Sequence, residues 1–309
     1  RALPRGAGQG SHRGLRLPAL PQTWCGSEAT AGIAAVPAAE ALQEWVRTLP
    51  RGVFEIISLI EASGPGQRAW IVGGALRDVL SGDAPHDIDL CTTLTPSEML
   101  QVFPKAGGPA NQFGTLIIEH GGVVVECTTL RTDSEEYSNR RHPDRVTFNT
   151  SLLLDLSRRD FTVNAMALDA TRLLLYDPFG GAADCAAGLL RAVGSASGQL
   201  LQDGLRIMRA YRLVAAKAVG RQPRRVDGEL EAALKMAAPN LAQVPQQRIT
   251  EELRQVLGGP SAPEVVKKMV EDGVLQVALA GAGPRAPGAR ELCALDALWR
   301  DEAVRGALA

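Results

Sequence analysis

The chain carries almost no net charge: 33 basic residues stand against 34 acidic ones, a formal balance of -1 over 309 residues. No bulk basic character advertises nucleic acid, so any nucleic-acid site has to be a local patch. Cysteine is sparse and unpaired in pattern. The five (Cys25, Cys91, Cys127, Cys185, Cys293) are scattered, odd in number and form no CxxC. That argues for a reducing compartment and against a disulfide framework or a structural zinc site. No apolar run approaches the roughly 20 residues needed to span a bilayer, and no internal repeat is visible. Acidic residues are missing from Arg1 to Ser27, where Arg1, Arg5, Arg13 and Arg16 are interleaved with Gly, Ala, Pro and Leu. This composition is that of an organelle transit peptide, chloroplast or mitochondrial, or of a disordered Gly/Pro-rich tail. The first residue is not Met, which leaves room for a fragment.

What is present is ordinary for a globular chain, with 45% hydrophobic and 22% charged residues, and the length allows more than one domain. Residues 1–37 read as disordered. "AAEALQEWVRTL" and "VFEIISLIEA" carry helical periodicity. "RAWIV" reads as a strand that "GG" turns into the helix "ALRDVLSG", and "HDIDLCT" as the next strand. "TPSEMLQVF" predicts a helix with Thr95 as N-cap, Pro96 at its first position and Glu98 three after the cap. "GTLIIEH" and "VVVECTTLR" flank Gly121-Gly122, a hairpin signal. The polar stretch "TDSEEYSNRRHPDRVTFNTS" is too long for a tight turn. From about Leu152 the pattern is helical, apart from the strand and turn "LLLYDPFGG". After Gly258 come helices joined by the loose "AGAGPRAPGAR".

Two carboxylates stand two apart in "HDIDLCT". Side chains at i and i+2 of a strand share a face, so Asp87 and Asp89 would form one anionic pair. Without a cation they repel, and one is pushed towards protonation. A divalent metal relieves this, and hard oxygen donors with few dedicated protein groups suit Mg²⁺. Taken alone, such a pair is more often a capping or turn feature. The preceding "IVGGALRD" adds a strand, a glycine pair and a helix start. There Gly73 and Gly74 let backbone N–H groups approach a phosphate, and Arg77 can add charge-assisted contacts. Together the two segments set a triphosphate beside a metal, the minimal arrangement for two-metal nucleotidyl transfer.

These motifs resemble the class II nucleotidyltransferases, the family of tRNA CCA-adding enzymes and bacterial-type poly(A) polymerases. "VGGALRDVLSG" with "HDIDLCTTLTP" is similar to the family's first motif and "DLSRRDFTVNAMALD" to the second. "YDPFGGAADCAAGLLRAVG" is similar to the third, "QDGLRIMRAYRL" to the fourth and "QQRITEELRQVL" to the fifth. "EEYSNRRHPDRVTF" is similar to the flexible loop. The likeness runs from about Trp70 to Leu257. It implies an α/β head with a polymerase-β-like mixed sheet, then an all-α neck and a short helical body. The expected divisions are 1–37 disordered, 38–180 head, 181–258 neck for nucleotide and RNA, and 259–309 body.

The resemblance also implies roles. Asp87 and Asp89 would hold the metals. Glu126 would be a third carboxylate that helps activate the primer 3′-hydroxyl; as a residue in a hairpin it reads equally well as solvent-facing. Arg159 would meet the triphosphate, with Asp160 and Asn164 near the ribose. Asp203, Arg206, Arg209 and Arg212 recur every third residue as one helix ridge, which by itself reads as a solvated basic stripe. Under the resemblance, Asp203 and Arg206 read the base, while Arg209 and Arg212 contact phosphates or brace the site. Adenine and cytosine both set an exocyclic amine beside a ring-nitrogen acceptor, which a carboxylate and a guanidinium match. Guanine and uracil present a carbonyl and a ring N–H there, and each mispaired buried group costs about 1–3 kcal/mol.

Gln202 stands where the family usually has Glu, which weakens the expected brace on the arginine, and Gly204 loosens the first turn of that helix. "RQPRR" (221–225) reads as an exposed loop able to touch a phosphate backbone. With about fifty residues after Leu257, the family's body and tail look abbreviated. The expected activity is Mg²⁺-dependent addition of CMP and AMP from CTP and ATP to a tRNA 3′ end, all or part of CCA. The alternatives are a poly(A) polymerase, a catalytically idle RNA-binding relative, and a small-molecule nucleotidyltransferase, which would not need the base reader.

Overall fold

Apolar positions in the first two helices fall on single faces. In α1 (Glu40–Thr48) Leu42 and Val46 are buried, and α2 (Arg51–Ala62) buries Val53, Ile56, Ile57 and Ile60. This three-and-four spacing turns one stripe inward, where it shares a core with Ile71, Leu90, Leu116, Ile118 and Leu168 from the sheet. The structure, a computed structural model, describes residues 29–108, 114–133, 146–148, 150–216 and 223–280. The expectations for the basic leader, for most of the flexible loop and for the C-terminal loop and tail lie outside the described residues.

The strands in chain order are β1 (Ala35–Pro37), β2 (Ala69–Val72), β3 (Asp89–Thr92), β4 (Thr115–His120), β5 (Val123–Thr129), β6 (Arg131–Asp133), β7 (Val146–Phe148), β8 (Ala167–Asp169) and β9 (Leu174–Tyr176). Seven of them form one sheet in the order β1-β9-β8-β2-β3-β5-β4. β3 and β5 run parallel and the other neighbouring pairs antiparallel, so the sheet is mixed. Helix α3 (Gly74–Leu80) leaves the end of β2, and α4 (Pro96–Val102) begins with the expected capping box of Thr95 and Glu98. A short helix α5 (Leu152–Ser157) leads into a 3₁₀ turn at Thr162–Asn164. The expected disorder of 1–37 does not extend to 29–37. Ala29 is fully buried, its carbonyl accepts from the Leu152 N–H, and β1 forms the sheet edge by pairing with β9. Without β1 the outer row of β9 backbone groups would lack partners, which even a three-residue strand can supply.

Beyond residue 180 the chain is helical: α6 (Gly181–Ala187), α7 (Ala196–Gln202), α8 (Leu205–Ala215), α9 (Gly228–Ala237), α10 (Gln246–Gly258), α11 (Ala262–Glu271) and α12 (Val274–Ala280). Among the described residues this region also carries a two-residue parallel ladder of β10 (Leu189–Leu190) and β11 (Arg225–Val226). This ladder corrects the reading of "RQPRR". Arg225 is part of a strand, and Arg224 is buried at 3% exposure. The Arg224 guanidinium donates to the Ser81 hydroxyl at 3.0 Å and the Leu213 carbonyl at 3.1 Å. A local charge pattern cannot foresee a guanidinium drawn inward by acceptors distant in sequence. Among the described residues no helix is long and apolar enough to cross a membrane.

Candidate nucleotide and metal site

β3 begins at Asp89, so Asp87 precedes the strand, and it is exposed. The partner that the fold brings to Asp89 is Glu126: parallel pairing of β3 with β5 sets the two residues side by side in register. Neighbours in register project from the same face of a sheet. Burial raises the Asp89 carboxyl above its ordinary pKa, and Glu126 pushes it further up. Arg159 opposes them, and Asp87 adds a last upward push.

Gly73 joins β2 to α3 with φ +78°, a conformation glycine adopts freely. A side chain there would crowd both sides of the site, since its Cβ would lie 3.5 Å from Asp89 Oδ2 and 3.6 Å from Arg159 Nη1. Arg77, one turn into α3, donates to Asn164 Oδ1 at 2.8 Å and to Asp78. Asn164 in turn donates to Asp160 Oδ1 at 3.0 Å, and Asp160 Oδ2 pairs with Arg209 at 2.8 Å. Arg77, Asn164, Asp160 and Arg209 thus form one polar chain from the head to α8. Burial raises the Asp160 carboxyl, but Arg209, the Asn164 hydrogen bond and Arg206 overrule it and hold the group below the usual carboxylate range. Behind Arg159 lies the fully buried Asp155, which accepts from Arg158 at 2.7 Å and Arg159 at 3.1 Å. Those two guanidiniums likewise outweigh burial and hold Asp155 below the usual carboxylate range.

The expected ridge is not one helix face. Asp203 has extended backbone and stands before α8, where its Oδ1 accepts from the Leu205 N–H at 2.9 Å. Its other oxygen is 3.6 Å from Arg248 of α10. Arg206 donates from Nη2 to the Arg158 carbonyl at 2.7 Å and from Nη1 to Gln202 at 3.2 Å and to Gln199. Arg212 pairs with Glu252 of α10 at 2.6 Å. Gly204 has a packing reason beyond chain freedom: a Cβ there would lie 3.1 Å from the Asn240 carbonyl and 3.0 Å from Val244.

These residues share a cavity of about 540 Å³ between sheet and neck. Gly73, Gly74, Arg77, Asp89 and Glu126 line its head side, with Arg159, Asp160 and Asn164. Asp203, Arg206, Arg209 and Arg212 line the neck side. Of the residues singled out in the sequence, Asp87 alone is not part of the lining. The cavity also takes in Thr128, Arg131, Arg158 and Arg248, which sequence reasoning passed over. Their signals were present but weak. Thr128 is two residues past Glu126 on the same strand face, and Arg158 and Arg248 lie inside the quoted motifs. Among the described residues no three His, Cys, Asp or Glu groups are gathered closely enough to cage a metal by themselves.

Residues 69–191 match the Poly A polymerase head domain, and 225–282 match the probable RNA and SrmB-binding site of polymerase A. The CCA-adding enzyme of Geobacillus sp. is 41% identical over 209 residues, 68% of this chain and 50% of the relative. That of Geobacillus thermodenitrificans is 38% identical over the same shares. The chain belongs to the class II CCA-adding and poly(A) polymerase family. Its fold agrees: the crystal structure of the Bacillus stearothermophilus CCA-adding enzyme in complex with CTP superposes with a TM-score of 0.64 at 33% identity, covering 77% of this chain and 54% of that one. The chain spans about half the length of the curated relatives it matches. The head-domain match contains the Gly73–Gly74 turn, Asp89, Glu126 and the polar chain through Asn164. Asp203 and Arg206 fall between the two matched segments.

Proposed function

We propose that this chain is a template-independent RNA nucleotidyltransferase that adds CMP and AMP, from CTP and ATP, to the 3′ end of tRNA, all or part of CCA. The observation that carries the reading is the single cavity with a phosphate loop and paired carboxylates on one wall and an aspartate–arginine pair on the other. In this reading the Gly73–Gly74 loop and Arg77 receive the triphosphate. Arg159 reaches it from the α5 side, and Asp160 and Asn164 stand by the ribose. Asp203 and Arg206 select a base that offers an amine beside a ring acceptor.

The donor set fits a divalent cation. Asp89 and Glu126 are like charges side by side in register, with Asp89 raised by burial and by Glu126, and a cation relieves that crowding. Asp89, with Asp87 at the exposed edge, would hold Mg²⁺, whose remaining ligands come from phosphate oxygens and water. When bound, the metal lowers the pKa of the attacking hydroxyl and neutralises the leaving group. Glu126 accepts the proton of the RNA 3′-hydroxyl as that oxygen attacks the α-phosphorus. The bond to pyrophosphate breaks on the opposite side.

The basic, acid-free leader supports delivery to an organelle as a further part of the proposal, which a fluorescent fusion of residues 1–40 would test. For the activity, the deciding experiment is an assay on tRNA ending before CCA, given CTP alone, ATP alone or both. The expected products are two C additions with CTP and a completed CCA with both nucleotides. Long A tails from ATP alone would sink this reading in favour of a poly(A) polymerase.

A further inference from the structure

Gln199 belongs to none of the roles assigned above, yet it sits at the junction of head and neck. It is on α7, 8% exposed. Its amide nitrogen donates to the Val193 carbonyl at 3.0 Å and to the Ser157 carbonyl, at the end of α5, at 3.3 Å. An amide has two N–H donors and one oxygen. With both donors directed at carbonyls, the oxygen is turned away from them, and it accepts from Arg206 Nη1. The backbone carbonyl of Gln199 accepts from the same Nη1 at 3.2 Å, while Nη2 is held by the Arg158 carbonyl at 2.7 Å. Every one of these acceptors is neutral, and together they fix the guanidinium plane. Gln202 also accepts from Nη1, at 3.2 Å, but from an exposed position.

We propose that Gln199 is a positioning residue for base selection: it sets the plane of Arg206 against the edge of the incoming base. This rests on the reading of Arg206 as the base reader. A guanidinium free to rotate still attracts phosphate, but it no longer offers donors at the angle a cytosine or adenine ring nitrogen requires. Gln199 therefore governs which nucleotide is admitted more than how tightly triphosphate is held.

The test compares the wild type with Gln199→Met, Gln202→Met and Arg206→Met on tRNA ending before CCA, measuring kcat and KM for CTP, ATP, UTP and GTP. Gln199→Met keeps the side-chain volume and removes the side-chain part of the brace, leaving the two backbone carbonyls. The expected result is a loss of about 10- to 100-fold in preference for CTP over UTP, the range for a lost hydrogen bond to a charged group. That loss falls on KM for CTP and ATP, with KM for UTP and GTP within about twofold of wild type, whereas Gln202→Met changes the preference less than about threefold. A purely structural role would depress all four nucleotides together. Should Gln199→Met not fold, Gln199→Asn keeps the amide, withdraws it by one methylene, and is expected to lose preference in the same direction. Preference retained in the Gln199 variant while Arg206→Met loses it overturns the role of Gln199. Preference retained in Arg206→Met overturns the base-reader reading itself, and with it this inference.

Discussion

At the scale of single residues, Asp89 and Glu126 show how a fold gathers charge that a free chain would disperse. Burial and the neighbouring carboxylate both disfavour the ionised form of Asp89, a crowding that a bound cation would relieve. Asp89→Asn keeps the shape and removes the charge. Nucleotide incorporation is expected to fall by at least about 10³-fold, since a lost metal ligand removes several kcal/mol of transition-state stabilisation. The melting temperature should stay level or rise, because the repulsion goes with the charge. Undiminished incorporation by a folded Asp89→Asn protein would end the catalytic assignment. The order of glycine pair, then Asp89, was legible in the sequence because it is local. That Glu126 stands beside Asp89 was expected only through the family resemblance, since in the residues themselves it depends on the parallel pairing of β3 with β5, a contact between distant segments. Only the strand position of Asp87 differs from expectation, because β3 starts at Asp89, two residues later than the alternation suggests.

Among elements, the telling contact is Arg224 against α3 and α8. The helix that starts at the Gly73–Gly74 turn ends at Ser81, and the helix that carries Arg206 and Arg209 ends near Leu213; one buried guanidinium donates to both. Desolvation lowers the Arg224 pKa, with Arg77 pushing the same way. The protein therefore bears an unfavourable burial to keep this tie. Arg224→Ala leaves two acceptors without their donor and opens a void, so a stability loss of about 2–4 kcal/mol is expected in denaturant unfolding. KM for CTP and ATP should rise together, because the phosphate loop and the neck lose their common anchor. An Arg224→Ala protein as stable as wild type would show the contact to be dispensable. In the sequence, "RQPRR" carried only the signature of an exposed basic loop. By contrast α4, with Thr95, Pro96 and Glu98 in order, was legible to the residue because a capping box is closed within four positions. Elements defined by their own residues can be read from the chain; ties between elements, such as Arg224 to Ser81 or Gln199 to Arg206, belong to the packing.

Over the whole molecule the charge nearly cancels, at -1, but its distribution is uneven. Eight arginines and four carboxylates line the cavity between sheet and neck, a local positive excess inside a neutral envelope. A concave wall of low dielectric focuses such an excess, whereas scattered surface charges are screened within about 8–10 Å at physiological salt. Recognition of the RNA end should therefore be electrostatic although the protein as a whole is not basic. If two or three phosphates of the acceptor engage the arginines, the single-strand counterion slope predicts KM for tRNA rising about tenfold between 50 and 200 mM salt, with kcat little changed. Steady-state kinetics at fixed saturating nucleotide checks this. The sign of the outcome separates two pictures of the partner. A steep slope means the arginine-lined cavity itself holds the acceptor. A slope under about twofold means that neutral contacts hold it, and the arginines then serve only the triphosphate.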